Sequence, residues 1–331
     1  MERDNPRIGY AFAVLIAFAL GFSSAKLWPT DTEPLFASRG TELRSGGRLT
    51  NPLLECDVPE VVYSELRPFK YKVQDYVDKQ FTAGKAKNIA VYFRDLNNGP
   101  WFGINALENF SPASLLKVPV MIAYLRYANG DVSVLDTEFS PILAESGVSQ
   151  VINPPEHLAE GKTYTIENLL YRMIAYSDND AAATLIARID QKALQQTFVD
   201  LGMVVPEERS LEDFMSVREY ASFFRILFNA SYLSRTMSER GLEYLTRSSF
   251  TNGIVAGVPA GITVAHKFGE RSLGEGVRQL HDCGIIYYPK RPYVLCVMTR
   301  GSDFEKQANV ISNISRIVWD EIDLQERSKD Q

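Results

Sequence analysis

Strand-like patterning sits at the two ends of the folded part of this chain, and helix-like patterning fills the space between. Residues 88–95 and 100–104 alternate β-branched and aromatic side chains about Leu96-Asn97-Asn98-Gly99, which reads as a hairpin. Segments 115–127, 166–175, 181–190 and 217–228 then space their apolar residues at helical intervals. Strand patterns return at 262–268 and 283–288, and Pro289-Lys290-Arg291-Pro292 turns the chain into a third at 293–299. Helical patterns at 66–81 and 304–322 bracket the whole, the second with Ile311, Ile314, Ile317 and Val318 on one face. The expected fold is α+β. One antiparallel sheet flanked by helices is built from both ends of the domain, and the central helices form a lobe of their own.

Composition narrows the chemistry. The 331 residues are 45% hydrophobic and 23% charged, which excludes a disordered, collagen-like or multi-span membrane chain. The formal charge is −6 with no long basic block, so no nucleic-acid partner is expected. The three histidines (His157, His266, His281) are scattered, and the three cysteines (Cys56, Cys283, Cys296) form no CxxC pair. No metal site and no cofactor are expected. Cys283 and Cys296 fall on neighbouring predicted strands, where a disulfide and two buried thiols are both open.

The amino-terminal part reads differently. Arg3 and Arg7 precede an uncharged, mostly apolar run over 8–25, about 18 residues and so just long enough to span a bilayer. Residues 1–28 read as a signal anchor or, with Ser23 and Ala25 at the −3 and −1 positions of a cleavage point, a signal peptide. The rest of the chain is then extracytoplasmic, periplasmic or at the cell surface, because the positive flank stays inside. Residues 29–58 read as a linker, 59–325 as the domain and 326–331 as a tail.

Three short elements carry the chemistry. Ser114-Leu115-Leu116-Lys117 opens a helix, so serine and lysine share a face one turn apart. A lysine whose pKa is lowered by burial or nearby cations can take the serine's proton, and the helix amino terminus offers free N–H groups to an oxyanion. The spacing alone is weak, since Ser23-Ser24-Ala25-Lys26 repeats it beside the signal segment. Tyr176-Ser177-Asp178-Asn179-Asp180 joins two helices and presents a hydroxyl and an amide; such residues are also ordinary caps. Ala265-His266-Lys267-Phe268-Gly269-Glu270 ends a predicted strand, with Gly269 allowing close approach of a substrate backbone.

The order Ser-x-x-Lys, Ser-Asp-Asn, Lys-x-Gly resembles the β-lactamase and penicillin-binding protein superfamily, most closely the class A β-lactamases, over about residues 60–325. Asp180-Ala181-Ala182-Ala183 after the Ser-Asp-Asn fits as well, and Met215-Ser216-Val217 starts a helix where the family often has Thr-Pro. The resemblance implies that Ser114 is the nucleophile, Lys117 its base or part of its proton relay, and Ser177 the donor to the departing nitrogen. It implies that Asn179 orients Lys117 and binds the substrate's side-chain amide, that Asp178 braces its loop, and that Lys267 attracts the substrate carboxylate. The backbone N–H groups of Ser114 and Glu270 would form the oxyanion hole.

Two departures qualify this. Phe268 replaces the hydroxyl residue of Lys-Thr/Ser-Gly, which typically binds the substrate carboxylate. Residues 202–215 contain no Glu-x-x-Leu-Asn, the motif whose glutamate activates the deacylating water; Glu207, Glu208 and Glu212 are the nearby carboxylates and read as solvated. The expectation is a β-lactam-opening serine hydrolase with slow deacylation. The alternatives are a D-Ala-D-Ala peptidase acting on peptidoglycan stem peptides, or a non-catalytic cell-wall-binding descendant.

Overall fold

In the computed structural model, residues 47–51, 66–97, 99–143, 151–152, 154–203, 213–274 and 276–329 are described. Helix α1 (Arg67–Thr82) comes first and turns Phe69, Val73 and Val77 inward at helical spacing. The hairpin β1 (Asn88–Asp95) and β2 (Trp101–Ile104) follows, in the register Val91↔Ile104. The short β3 (Asn109–Phe110) leads through a 3₁₀ turn, Ala113–Leu116, into α2 (Lys117–Ala128). Next come β4 (Glu138–Phe139) and its partner β5 (Tyr164–Thr165), then α3 (Ile166–Ala175), α4 (Asn179–Arg188) and α5 (Gln191–Asp200). The short β6 (Met215–Ser216) pairs with β3 and opens α6 (Val217–Phe228), and α7 (Arg235–Leu245) completes the lobe. The long strands β7 (Val264–Ser272), β8 (Arg278–Ile286) and β9 (Tyr293–Gly301) precede the closing helix α8 (Phe304–Lys329).

The helix starts are written in the sequence. Thr165, Asp178, Asp190, Ser216 and Ser234 each accept a backbone N–H as amino-terminal caps, and Ser216 with Glu219 forms a full capping box.

The five-stranded sheet has the order β2-β1-β9-β8-β7 and every pairing is antiparallel. The two ends of the domain thus meet where β1 pairs with β9, as the pattern of the sequence requires. Side chains alternate across the sheet, which sorts the core into two clusters. Tyr92, Ala265, Cys283, Cys296 and Met298 face the helical lobe with Met121, Leu125 and Phe224. Phe93, Phe268, Leu295 and Val297 face α1 and α8 with Phe69, Ile311 and Val318. Cys283 and Cys296 stand directly opposite each other on β8 and β9 and are joined as a disulfide.

Several boundaries move. Strand β7 runs four residues past Phe268, so Lys267 sits inside it rather than at its end. Residues 191–200 and 235–245 are helical although too few of their side chains are apolar to show the period. The presumed tail begins as helix, since α8 continues to Lys329. Part of the expected linker is packed: Leu49 is 3% exposed and the Thr50 hydroxyl donates to Glu239 at 2.8 Å. No helix among the described residues is long and apolar enough to cross a membrane. The 8–25 run, most of the linker, and Glu207, Glu208 and Glu212 lie outside the described residues.

Candidate active site

Ser114 lies in the 3₁₀ turn one turn ahead of Lys117, the first residue of α2. Lys117 is 6% exposed, yet its ammonium position is well supplied with acceptors. Nζ donates to the Ser177 carbonyl at 2.6 Å and to Asn179 Oδ1 at 2.7 Å, and lies 3.3 Å from Ser177 Oγ. Burial pulls its pKa down to about 7, against the opposing pull of Asp178 and Glu270. A neutral amine has two N–H bonds and one lone pair. The two short contacts use the N–H bonds, which leaves the lone pair for a hydroxyl proton.

Ser177, Asp178 and Asn179 join α3 to α4. Asp178 Oδ1 accepts the N–H groups of Asp180 and Ala181, so this aspartate caps α4 and holds the loop. Ser177 sits at φ +56°, a left-handed conformation unusual for serine and held by these neighbours. Its hydroxyl accepts from Lys267 Nζ at 2.8 Å. Lys267 comes from β7, is fully buried, and also donates to the Phe268 carbonyl at 2.9 Å. Burial first, then the neighbouring Lys117, push its pKa down. Two lysines from different parts of the chain therefore converge on one hydroxyl.

Gly269 is where β7 passes the turn that carries Ser114. A Cβ there would lie 3.0 Å from both the Pro112 oxygen and Leu115 Cγ, so a side chain at this position would crowd the turn. The next residue, Glu270, turns its carboxylate to another segment: Oε1 accepts the N–H of Val151 at 2.9 Å and of Ile152 at 2.8 Å. Burial raises its pKa. Phe268 is fully buried, its ring 4.7 Å from that of Phe250, and Lys267 Nζ lies 4.2 Å from its centroid. The position where the family usually carries a hydroxyl is thus a core ring packed beneath the strand.

The structure brings Lys117, Ser177, Asn179 and Lys267 into one hydrogen-bonded group and sets Ser114, Gly269 and Glu270 along its edge. Sequence reasoning missed the tie from Glu270 to residues 151–152. It also missed Ser111, Gln279 and His281, buried polar residues behind the Ser114 turn. Their one signal was polar residues two apart, Gln279 and His281, on a strand with core residues between and beyond them.

Such a group offers what acyl transfer needs: a serine on a helix start, an amine whose pKa is lowered by burial, a second hydroxyl held by a buried lysine, and a strand edge. Known proteins share this fold. The model of the beta-lactamase enzyme family matches residues 68–322. Among solved structures, PBP-A superposes with a TM-score of 0.65 at 21% identity, covering 78% of this chain and 97% of its own. A class A beta-lactamase from Mycobacterium abscessus gives 0.64 at 24% identity, covering 76% and 99%. A PBP-A mutant solved as an acyl-enzyme complex with penicillin G gives 0.65 at 22%, covering 78% and 97%. No curated protein matches the sequence. The chain belongs to the beta-lactamase enzyme family and is a serine hydrolase of that type.

Proposed function

We propose that this protein opens β-lactam rings through an acyl-Ser114 intermediate. The observation that carries the reading is the buried Lys117, whose two N–H bonds are held by Ser177 and Asn179 while its pKa is drawn to about 7. Lys117 takes the Ser114 proton as the hydroxyl attacks the lactam carbonyl. The backbone N–H groups of Ser114 and Glu270 receive the oxyanion. Ser177 passes a proton to the departing nitrogen, and Lys267 holds that hydroxyl and draws in the substrate carboxylate. Asn179 binds the acyl side-chain amide with the part of its carboxamide that Lys117 leaves free.

Deacylation is slow in this reading, because residues 202–215 lack the Glu-x-x-Leu-Asn motif that activates water in class A β-lactamases. The same absence favours a second reading, cleavage of D-Ala-D-Ala stem peptides by the same acyl-serine route. The positive flank and uncharged run over 8–25 support an extracytoplasmic domain behind a membrane anchor or cleaved signal, where both substrates are met.

Intact-mass measurement of the domain with benzylpenicillin over time separates these readings. An adduct that decays slowly with accumulating hydrolysed product, with no D-Ala released from a stem-peptide mimic, supports the β-lactamase. A lasting adduct, with D-Ala released from a stem-peptide mimic, supports the peptidase. No adduct, or one retained by Ser114→Ala, contradicts both.

A further inference from the structure

Ser111 is fully buried three residues before Ser114, and all three of its polar atoms are held from the sheet. Its N–H donates to Gln279 Oε1 at 3.0 Å. Its carbonyl accepts from His281 Nε2 at 3.0 Å. Its hydroxyl accepts from Arg271 Nη1. These partners are themselves fixed. Gln279 Nε2 donates to Asp213 Oδ1 at 2.8 Å, and His281 Nδ1 accepts the Thr299 N–H at 3.3 Å, which leaves the ring proton on Nε2 for Ser111. His281 is fully buried, and desolvation draws its pKa to about 4, so the ring is neutral at ordinary pH and keeps this tautomer.

Between the clamped Ser111 and the nucleophile lies Ala113 at φ +49°. A residue with a Cβ in that region is strained and persists only where its surroundings over-determine it. Pro112, at φ −66°, is stiff, so a restraint on Ser111 passes to Ala113 with little slack. The other side of the turn abuts β7 at Gly269. The turn is therefore pinned at its start by three side chains and along its flank by the strand whose Glu270 N–H completes the oxyanion hole.

We propose that Gln279, His281 and Arg271 are positioning residues that hold the strained Ala113 turn, and with it the Ser114 hydroxyl and N–H, in the geometry of acylation. The proposal rests on Ser114 being the nucleophile. None of the three touches the substrate; they act through Ser111. The consequence is specific. Loss of the clamp lets Ala113 relax to negative φ and swings Ser114 away, which slows acylation at saturation and leaves substrate affinity nearly unchanged. Replacing Ala113 by glycine removes the strain that the clamp opposes.

The test uses the full chain, with benzylpenicillin as the probe. Rapid-mixing acylation is resolved into the limiting rate and the dissociation constant. His281→Phe keeps the ring and loses both hydrogen bonds; Gln279→Met keeps the length and loses the Ser111 acceptor, and serves if the first variant fails to fold. Each is expected to lower the limiting rate about tenfold or more while the dissociation constant stays within about threefold. Adding Ala113→Gly to either variant is expected to return the rate to within about threefold of the parent. A limiting rate within about twofold of the parent, or no recovery with glycine, overturns the proposal. A parent that takes up neither penicillin nor a fluorophosphonate removes the nucleophile itself, a failure distinct from equal acylation of parent and variants.

Discussion

Strand β7 has two neighbouring stretches that meet the site differently. At Lys267 the strand is fully buried, its ammonium shared between Ser177 and the Phe268 carbonyl. Three residues on, Glu270 is half-buried and its carboxylate holds the N–H groups of Val151 and Ile152. In the proposed reaction the first stretch serves the leaving group, with Ser177 as its proton donor. In that reaction the second stretch flanks the acyl group, with the Glu270 N–H as an oxyanion donor. The contrast teaches where this chain is generic and where it is particular. The leaving-group stretch is built from motif residues that any acyl-serine enzyme of this type needs. The acyl stretch carries an anion and a tether that the motifs do not specify.

The comparison can be broken from several sides. Ser114→Ala removes the reaction at both stretches, with penicillin uptake falling about 10⁴-fold or more and stability unchanged within about 1 kcal/mol. Mass spectrometry and thermal unfolding read the two. Lys267→Ala strikes the leaving-group stretch alone. It is expected to slow acylation about 10²- to 10³-fold, because Ser177 loses the cation that orients it and the substrate carboxylate loses its attractor. An acylation rate near the parent's would show that Lys117 alone runs the relay.

Phe268→Thr restores the family's hydroxyl in the same stretch. The ring is a core residue stacked on Phe250, so the substitution leaves a cavity and costs about 3–5 kcal/mol by denaturant unfolding. The expected gain in carboxylate affinity is absent; tighter penicillin binding would show that the side chain reaches the cleft. Glu270→Gln acts on the acyl stretch and has the smallest effect. The amide oxygen still accepts from residues 151–152 but without charge, so KM shifts about threefold and kcat stays within about twofold. Steady-state kinetics on two β-lactams with different acyl groups checks this, and a larger change in kcat than in KM would place Glu270 in the chemistry.

Much of the architecture was legible in the sequence because it rests on periodicity. The hairpin about Asn97, the three late strands and the amphipathic last helix all follow from which residues must be buried. The helix over 191–200 was not legible because it buries only Leu194 and Thr197, too few to mark a face. The far end of β7 was hidden for a related reason: Glu270, Arg271 and Ser272 look like loop residues until their neighbours on β8 pair with them. At the site, Ser114, Lys117, Ser177, Asn179 and Lys267 were readable from order and type. Their electrostatics were not. That Lys117 and Lys267 share one buried hydroxyl, and so cannot both keep ordinary pKa values, depends on a fold that joins residues 90 positions apart. Ser111 and its partners were illegible for the same cause, since nothing local tells a buried glutamine from an exposed one.

The central claim is that a buried, neutral Lys117 takes the proton of Ser114. The pH dependence of penicillin acylation at low substrate tests it most directly, in the parent and in Lys117→Met. The base form is the active one, so the parent's rate should be level above about pH 7 and fall about tenfold per unit below it, with the methionine variant slow and without that ionisation. A parent profile flat through pH 7, or the same ionisation surviving in Lys117→Met, would contradict the account.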